Sequence, residues 1–427
     1  MEYINQIREN GLFDFILITI VSKSSLFPKD FIYCSLTIII EYLFEIHFKK
    51  IYDIINKEHV LILIQFLNYF NIIDIKGKGF ILFYILIYLY VKKLLVKMKF
   101  GTLLVVSNFI INEISYQGEY LSNNFSTGNA VEFFMIHSFY FLNTISLIEN
   151  QKQNKLNYLM IILGFLPLYI ILKNFFYLWY HFVQCLYFFF GTKTLYFFFY
   201  WSFILICFSY INNRFQKLDL RQTVKRKIYH FLALIVLVPG IKYLDKAILK
   251  LILMIVSYLF VVFEFVRNSI FIKDFSLVKD INTFMIENID YRDDNKFIVT
   301  HIFLMTGLIS SLYYDNHGNE TFNYLSIIVL GIGDAMSAIC GVYFGKTRIY
   351  SLNARTLEGS FGGLSSSLVS YYFFNGSINM EELIKFIIIF FYEGYTLEVD
   401  NLFLPLLSNN LFLNWDLIKQ NILKPFK

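Results

Sequence analysis

The sequence predicts an all-α membrane protein, a polytopic transmembrane helical bundle with roughly a dozen or more spans. The apolar residue types Ala, Val, Ile, Leu, Met, Phe, Trp, Tyr and Cys make up 57% of the 427 residues, and charged residues only 16%. The mean hydropathy is +0.56. Apolar runs long enough to cross a bilayer recur along the chain. This composition excludes a disordered chain, a secreted disulfide scaffold and an ordinary soluble enzyme.

Candidate spans are apolar stretches that approach the 20 or so residues needed to cross a bilayer. The better candidates lie at 31–48, 79–95, 157–173, 174–190, 194–211, 228–244, 247–266, 297–314, 322–344 and 360–375. Weaker ones lie at 11–22, 60–75, 102–114, 131–148 and 383–407. No internal repeat is evident.

Net charge, cysteines and aromatic residues narrow the functional classes further. The net charge of +5 is too mild to indicate a nucleic-acid partner. The four cysteines lie in apolar runs and are expected to be reduced core residues rather than zinc ligands or disulfides. They are Cys34, Cys185, Cys207 and Cys340. The aromatic fraction of 20% is interpreted as compositional bias. We expect no transit peptide and no cleavable signal.

The two halves of the chain differ in where their polar and ionisable residues lie. Residues 1–212 are apolar runs joined by ordinary polar segments, and Glu41 and His181 inside these runs are interpreted as interhelical polar contacts. From residue 213 onward, polar side chains gather at the predicted membrane borders. Ionisable groups inside a bilayer are costly, and they often have a function. The sequence therefore predicts a multispanning region over 1–212 and a functional membrane domain over 213–427.

The placement of Lys and Arg predicts the orientation of this second half. The loops 213–227 and 345–358 are both basic, and four predicted spans separate them, so we expect both in the cytosol. By the same count, the sequons Asn319-Glu320-Thr321 and Asn375-Gly376-Ser377 face the lumen. Their loops are tight, so glycosylation is not expected.

The first polar cluster is Arg226-Lys227-Ile228-Tyr229-His230, at the start of a predicted helix. Arg226 and His230 are four residues apart and share a helix face. Cations beside an imidazole suit a phosphate site. Taken alone, however, the segment is better explained as a positive-inside anchor followed by an incidental histidine.

The second cluster is GIGDAMSAICGVYFG over 331–345. Gly333, Ser337, Gly341 and Gly345 recur every four residues, which is typical of close helix packing. Asp334 lies beside this stripe, and a carboxylate in an apolar segment requires a cation, a metal or a proton. The pattern is neither a Rossmann nor a Walker loop.

The third cluster combines Lys346-Thr347-Arg348 with the segment RTLEGSFGG over 355–363. Basic side chains, hydroxyls and glycines before a helix fit a polyphosphate cradle. A flexible basic linker is the alternative.

The fourth cluster lies within 392–405. On a single helix, Glu393, Thr396 and Asp400 would share one face. Two carboxylates on an apolar face suggest a divalent metal with oxygen ligands, and pairing with the basic loop is the alternative. Separately, Glu264 and Arg267 are interpreted as a salt-bridged helix end.

Taken in order, the motifs R-K-x-x-H, G-x-G-D-A-x-[AS], T-x-E-G-[ST] and E-x-x-T-x-x-x-D-N-L-x-L-P resemble those of the dolichol kinases. That family is grouped with phytol kinase and phosphatidate cytidylyltransferase. The motifs cover about 221–407. The resemblance implies phosphorylation of dolichol by CTP, with Mg²⁺ or another divalent cation, at the cytosolic face of the endoplasmic reticulum membrane. The product, dolichyl phosphate, would serve protein glycosylation. The oligomeric state stays open.

The resemblance also assigns roles to individual residues. The implied catalytic residues are Asp334, Asp400, Glu393 and His230, of which the three carboxylates would hold the metal. The implied CTP-binding residues are Gly345, Lys346, Arg348, Arg355, Thr356, Glu358, Gly359, Arg226, Lys227 and Asn401. The chain departs from the family at Ala354, where a lysine is usual, at Glu398, where Gln is usual, and by lacking a glycine within 350–353. Lys346 or Arg348 would supply the missing cation.

Three other functions compete with this interpretation. A cytidylyltransferase that makes a CDP-lipid would use similar groups. Phytol kinase is disfavoured because the chain has extra predicted spans and no transit-peptide pattern. A transporter would predict inverted repeats and broken helices in matching positions, and the sequence has neither.

Overall fold

The structure is a computed structural model in which part of the chain is described. The described residues are 183, 191–215, 217–268, 279, 282–283, 285–286, 298–313, 320–349, 354–396, 399–416 and 418–419. Within them the secondary structure is helical, without a β-strand, and one isolated antiparallel bridge joins Arg348 and Thr356. The spans predicted before residue 183, together with Cys34, Glu41 and His181, lie outside this part, as does Cys185.

The helices are numbered here over the described residues alone. They are α1 (Thr192–Phe215), α2 (Gln222–Tyr243), α3 (Lys246–Asn268), α4 (Thr300–Tyr313), a 3₁₀ helix (Glu320–Tyr324), a π-helix (Ile327–Asp334), α5 (Ala335–Phe344), α6 (Leu357–Asn375), α7 (Met380–Tyr395) and α8 (Asp400–Leu413). The described residues fall into two compact units. Those within 191–257 and 300–419 belong to the first, and those within 258–299, with residue 183, belong to the second.

Three helical stretches of the described part are long and apolar enough to cross a membrane. They are Lys193–Asn212 in α1, Lys246–Glu264 in α3, and Ile327–Phe344, which joins the π-helix to α5. They coincide with predicted spans. Helix α4 is apolar but has only 14 residues, and α2 and α6 form where the sequence predicted them. These helices suggest a membrane protein, and the total of a dozen or more spans stays a prediction.

The prediction of one span over 383–407 is wrong. The chain forms two helices there, α7 and α8, because Thr396 and Val399 adopt extended backbone conformations between them. Two helix ends therefore meet inside the segment that the sequence pattern treated as continuous.

Helix α8 is the central helix of the first unit. Its residues from Asn401 to Leu411 are all buried, as expected for a helix that is surrounded by others on every side. It packs against α4, α7 and the π-helix. Its buried amide Asn409 donates to Ser310 of α4, 2.9 Å away, and Ser310 in turn contacts Ser326. These hydrogen bonds satisfy polar groups that burial would otherwise leave unpaired.

The first unit also has an apolar core between α1, α2, α3, α4 and the π-helix. Four leucines are almost completely buried within it: Leu237, Leu249, Leu308 and Leu330. Trp201 of α1 completes the cluster and donates its indole N–H to the carbonyl of Val236, 3.0 Å away. The core fixes α2 against the π-helix, which positions the polar side chains described below.

The small-residue stripe predicted for 333–345 is a packing surface, and α6 is its partner. Gly359 and Gly363 of α6 face Ser337 and Gly341 of α5. A Cβ atom on Gly359 would lie only 2.8 Å from the carbonyl oxygen of Ser337. The two backbones therefore approach more closely than larger side chains would allow.

In the second unit, Glu264 and Arg267 form the salt bridge that the sequence predicted. Both side chains are buried and lie 2.8 Å apart, and Arg267 also donates to Asn282. The Glu264 carboxylate accepts the backbone N–H of Ile298 at 3.0 Å. The pair thus ties the end of α3 to the segment that precedes α4.

In the sequon at Asn375, the side-chain amide of the asparagine makes hydrogen bonds within the protein. Its carbonyl oxygen accepts from the Thr321 hydroxyl at 3.0 Å, and its NH₂ group donates to the Ser377 carbonyl at 3.0 Å. The absence of glycosylation at this site stays a prediction. Asn319 of the other sequon lies outside the described residues.

Replacing Gly359 with Ala should destabilise the folded protein by about 1–3 kcal/mol, because the added methyl group overpacks the α5–α6 contact. Thermal unfolding of the detergent-purified protein measures the effect. Val369→Ala is the control, since that side chain is on the same helix and is 70% exposed. Equal unfolding temperatures for Gly359→Ala and the wild type would contradict the packing described here.

Candidate active site

The first charged cluster of the site joins α2 to the π-helix. Lys227 donates from Nζ to Oδ2 of Asp334 across 2.5 Å, and both side chains are largely buried. Asp334 therefore has the cation that an apolar environment requires. Lys227 makes this ion pair, and Arg226 lies half-buried beside it on α2.

His230 lies one turn further along α2, next to the same carboxylate. Its Nδ1 lies 3.0 Å from the carbonyl oxygen of Leu330 and 3.8 Å from Oδ2 of Asp334. A carbonyl oxygen only accepts, so Nδ1 carries the proton in this hydrogen bond. In the neutral ring, Nε2 is then the basic nitrogen.

The π-helix supplies both groups that α2 contacts, Asp334 and the Leu330 carbonyl. A π-helix is rare, and it is frequently found at functional sites. Contacts of Lys227 with Asp334 and of His230 with Leu330 also show that α2 and the π-helix run antiparallel. An antiparallel pair is what the count of four spans between the two basic loops requires.

The second charged cluster centres on Arg355. Its Nη2 donates to Oδ2 of Asp400 at 2.8 Å, and its Nε lies 3.5 Å from Oε1 of Glu393. Its Nη1 donates to the backbone carbonyl of Glu393. The guanidinium thus bridges α7 and α8 where the helical structure is interrupted between them.

Helix ends explain why Glu393 and Asp400 meet there. Glu393 is in the last turn of α7, where carbonyl groups lack helical partners and a cation is favourable. Asp400 is the first residue of α8, where a carboxylate is favourable. The expectation that Glu393, Thr396 and Asp400 share one helix face is therefore wrong. The helix break brings the two carboxylates to a common partner.

The charges of the two clusters act on one another. Glu393 interacts electrostatically with Asp334 and Lys227 as well as with Arg355 and Asp400. His230 likewise interacts with Asp400. Helices α2, α7 and α8, the π-helix and the segment before α6, which carries Arg355, therefore place three carboxylates, two cations and an imidazole within range of one another's charges.

The loop predicted to bind CTP is closed like a hairpin. Ile349 N–H donates to the carbonyl of Arg355 at 3.1 Å, and Leu357 N–H donates to the carbonyl of Thr347 at 2.9 Å. Residues 350–353, where the family's glycine is missing, lie outside the described residues. The hairpin places Arg355 at the end of its second arm, directly before α6.

Two residues predicted to bind CTP, Thr356 and Glu358, instead hold the loop in shape through hydrogen bonds within it. Thr356 caps α6 by accepting from Gly359 N–H at 3.2 Å, and its hydroxyl packs close to Gly345. Glu358 accepts from the N–H of Thr347 at 3.1 Å. Backbone N–H groups of Glu358 itself, then of Thr347 and Lys346, hold the pKa of the exposed Glu358 carboxyl below its usual range.

The remaining predicted residues fall into two groups. Lys346 and Arg348 are exposed, and within the described part their side chains have no hydrogen bond or ion pair. They are the cations of this loop that can reach a ligand without giving up a protein partner. Asn401 is buried and donates to the carbonyl of Thr300 at 3.3 Å, so it joins α8 to α4.

The carboxylates fit a magnesium ion that arrives with a nucleotide. Mg²⁺ prefers oxygen ligands and usually takes one or two carboxylates together with substrate phosphates. The described residues contain no group of three or more His, Cys, Asp or Glu side chains that could hold an ion by themselves. Asp334, Glu393 and Asp400 are the oxygen donors that could complete such a shared site.

Ser360 and the Leu330 carbonyl belong to the site, although the sequence analysis did not assign them. Ser360 Oγ donates to Oε2 of Glu393 at 3.2 Å. Its place in the motif T-x-E-G-[ST] was the available signal. No side-chain pattern marks a backbone carbonyl, so Leu330 could not be found from the sequence.

The fold and the site define a class: a helical membrane protein whose buried carboxylates and cations meet beside a basic hairpin at helix ends. The chain is similar to six curated dolichol kinases. It is 30% identical to Dolichol kinase sec59 of Schizosaccharomyces pombe over 227 residues, which are 48% of this chain and 44% of that protein. It is 26% identical to Dolichol kinase EVAN of Arabidopsis thaliana, over 49% of this chain and 38% of that protein.

The dolichol kinase of Bos taurus is 24% identical over 202 residues, which cover 43% of this chain and 37% of that protein. The chain therefore spans less than half the length of these relatives. The matches support membership of the chain in the dolichol kinase family, as the motifs indicated. No family profile and no solved structure matches the chain.

Replacing Lys227 with Met should destabilise the protein by about 3–5 kcal/mol, because it leaves the buried Asp334 carboxylate without its cation. The double variant Lys227→Met, Asp334→Asn should recover much of that loss, since it removes the charge as well. Thermal unfolding in detergent measures both. Additive losses in the double variant would contradict a direct ion pair.

Proposed function

We propose that this chain is a lipid kinase that transfers the γ-phosphoryl group of CTP to the hydroxyl of dolichol. The observation that carries the proposal is a pair of ion-pair clusters, Lys227 with Asp334 and Arg355 with Glu393 and Asp400, whose residues lie in or directly beside motifs of the family. The names of the similar proteins support dolichol as the acceptor. CTP as donor follows from the motif resemblance.

In the reaction, the oxygen of the alcohol forms a bond to the γ-phosphorus, and the bond from that phosphorus to the bridging oxygen of the β-phosphate breaks. CDP leaves, and the proton of the alcohol passes to a base. Two groups can accept it: the Asp334 carboxylate and Nε2 of His230. Transfer of this kind depends mainly on positioning and electrostatics, so a small number of charged groups suffices.

The cations of the site stabilise the charge of the transferred group. Lys346 and Arg348 are exposed on the hairpin and contact the phosphates first. A bound divalent cation supplies further positive charge at the phosphate oxygens. Asp334, Glu393 and Asp400 are the residues that would supply oxygen ligands to it.

The location of the enzyme completes the proposal. The antiparallel arrangement of α2 and the π-helix is compatible with a site on the cytosolic face, where CTP is available. Dolichol would reach it laterally from the bilayer. The membrane would be that of the endoplasmic reticulum, where the product carries sugars for protein glycosylation.

Membranes that contain the full chain should label dolichol from γ-labelled CTP and not from γ-labelled ATP. The soluble product should be CDP, because only the terminal phosphoryl group moves. Thin-layer chromatography of the lipid and nucleotide fractions measures both. Release of pyrophosphate with formation of a CDP-lipid would instead identify a cytidylyltransferase, and the absence of any lipid product would contradict both reactions.

In the same assay, Asp334→Asn should lower the rate of dolichol labelling by about 10²–10⁴-fold, the range for loss of a base or of a charged group that acts in the transition state. Asp416→Asn is the matched control, since Asp416 is an exposed carboxylate whose ion pair with Lys419 lies outside the site. Normal turnover by Asp334→Asn would contradict the role of Asp334.

A further inference from the structure

We propose that Arg355 acts as an internal counter-ion, which neutralises Glu393 and Asp400 until a divalent cation and a nucleotide bind together. This inference rests on the proposed function, because it concerns how that site is loaded. It predicts that metal and nucleotide strengthen each other's binding, and that Arg355 is the residue responsible.

All four carboxylate oxygens of Glu393 and Asp400 face a protein group. In Asp400, Oδ2 accepts from Arg355 at 2.8 Å and Oδ1 accepts from the backbone N–H of Asn401 at 3.0 Å. In Glu393, Oε1 lies 3.5 Å from Arg355 and Oε2 accepts from Ser360 at 3.2 Å. Each carboxylate oxygen has a second lone pair, so a neutral hydrogen-bond donor can remain in place when a cation binds.

Arg355 is the partner whose displacement makes room for a cation. The carboxylates have three partners: Arg355, the backbone N–H of Asn401 and the hydroxyl of Ser360. Only Arg355 is charged, and its guanidinium would repel a divalent ion placed beside it. A metal ion alone must therefore break two ion pairs before it gains its ligands. Binding of metal without nucleotide should accordingly be weak.

A nucleotide removes this obstacle by giving Arg355 another partner. Guanidinium groups bind phosphate oxygens through paired hydrogen bonds, as they bind carboxylates. Arg355 belongs to the same hairpin as the exposed cations Lys346 and Arg348, whose positive charge attracts phosphates to this loop. When Arg355 turns to the phosphates, its positive charge no longer opposes the binding of a cation to Glu393 and Asp400. The coupling between two ligands is reciprocal, so each should tighten the other.

The measurement is equilibrium dialysis of the detergent-purified full chain with Mn²⁺ alone, and with labelled CTP in the presence or absence of Mn²⁺. For the wild type, we expect weak Mn²⁺ binding, and CTP binding that Mn²⁺ tightens by at least about fivefold, within the usual range for coupled ligands. In Arg355→Gln, Mn²⁺ alone should bind about tenfold more tightly than to the wild type, and its effect on CTP binding should shrink.

Lys419→Gln is the matched control, because Lys419 also bridges two carboxylates, Glu381 at 2.7 Å and Asp416 at 2.9 Å, on the protein surface. Its removal should leave Mn²⁺ binding unchanged. If Arg355→Gln does not purify as a folded protein, Arg355→Lys serves in its place. Lysine keeps one charge but cannot bridge both acids, so Mn²⁺ alone should bind more tightly than to the wild type, by a smaller factor.

Mn²⁺ affinity equal to that of the wild type, in whichever of these Arg355 variants is folded, would overturn the counter-ion role. The same result in Lys419→Gln as in Arg355→Gln would overturn it too, because the effect would then be general to any released carboxylate pair. If the wild type does not label dolichol but the Arg355 variant still binds Mn²⁺ more tightly than the wild type, the proposed function is rejected and the counter-ion role is kept. If the wild type labels dolichol normally but the Arg355 variant binds Mn²⁺ no more tightly, the counter-ion role is rejected and the proposed function is kept.

Discussion

The pairing of buried charges is the constraint on which the rest of this structure depends. Each ion moved out of water costs several kcal/mol unless it gains a partner with good geometry. Asp334 gains Lys227, Glu393 and Asp400 gain Arg355, and Glu264 gains Arg267. Lys385 is buried over the rings of Phe412 and Trp415, at 4.7 Å and 5.4 Å from their centroids. In the first unit, the pairs around Asp334 and Arg355 determine which helices must meet.

Irregular backbone makes these pairs possible. The π-helix brings Asp334 and the Leu330 carbonyl to α2, and the break between α7 and α8 brings two helix ends to Arg355. Pro405 contributes in a related way, because it has no N–H and leaves the carbonyl of Asn401 without a helical partner. That carbonyl lies against Gly307 of α4, where a side chain would collide with it. Close packing thus replaces a regular hydrogen bond next to Asp400.

The sequence predicted the parts of this arrangement that depend on composition and spacing. Apolar length predicted α1, α3 and the helix that ends at Phe344, and the four-residue stripe predicted that another helix packs closely against it, without identifying α6 as that helix. Because a carboxylate in an apolar segment requires a cation, a metal or a proton, the sequence also predicted that Asp334 has such a partner. Spacing could not say that Lys227 is that partner, since the choice depends on how α2 packs against the π-helix.

The errors have equally physical causes. Hydropathy over 383–407 is continuous, so it hides a break that comes from the extended conformations of Thr396 and Val399. The two carboxylates do meet, as predicted, although helix ends rather than one helix face bring them together. The pairing of these acids with the basic loop, which the sequence left as an alternative, is what the structure contains. The region 1–182 stays a prediction, since it lies outside the described residues.

The central claim is that the cluster around Asp334 and the cluster around Arg355 form a single site. A double-mutant cycle on CTP binding, with Asp334→Asn, Glu393→Gln and the two together, tests it most directly. If the two carboxylates act on one bound nucleotide, the changes in binding free energy should depart from additivity by about 0.5–3 kcal/mol. Changes that add to within about 0.3–0.5 kcal/mol would place the two carboxylates in independent sites and contradict the claim.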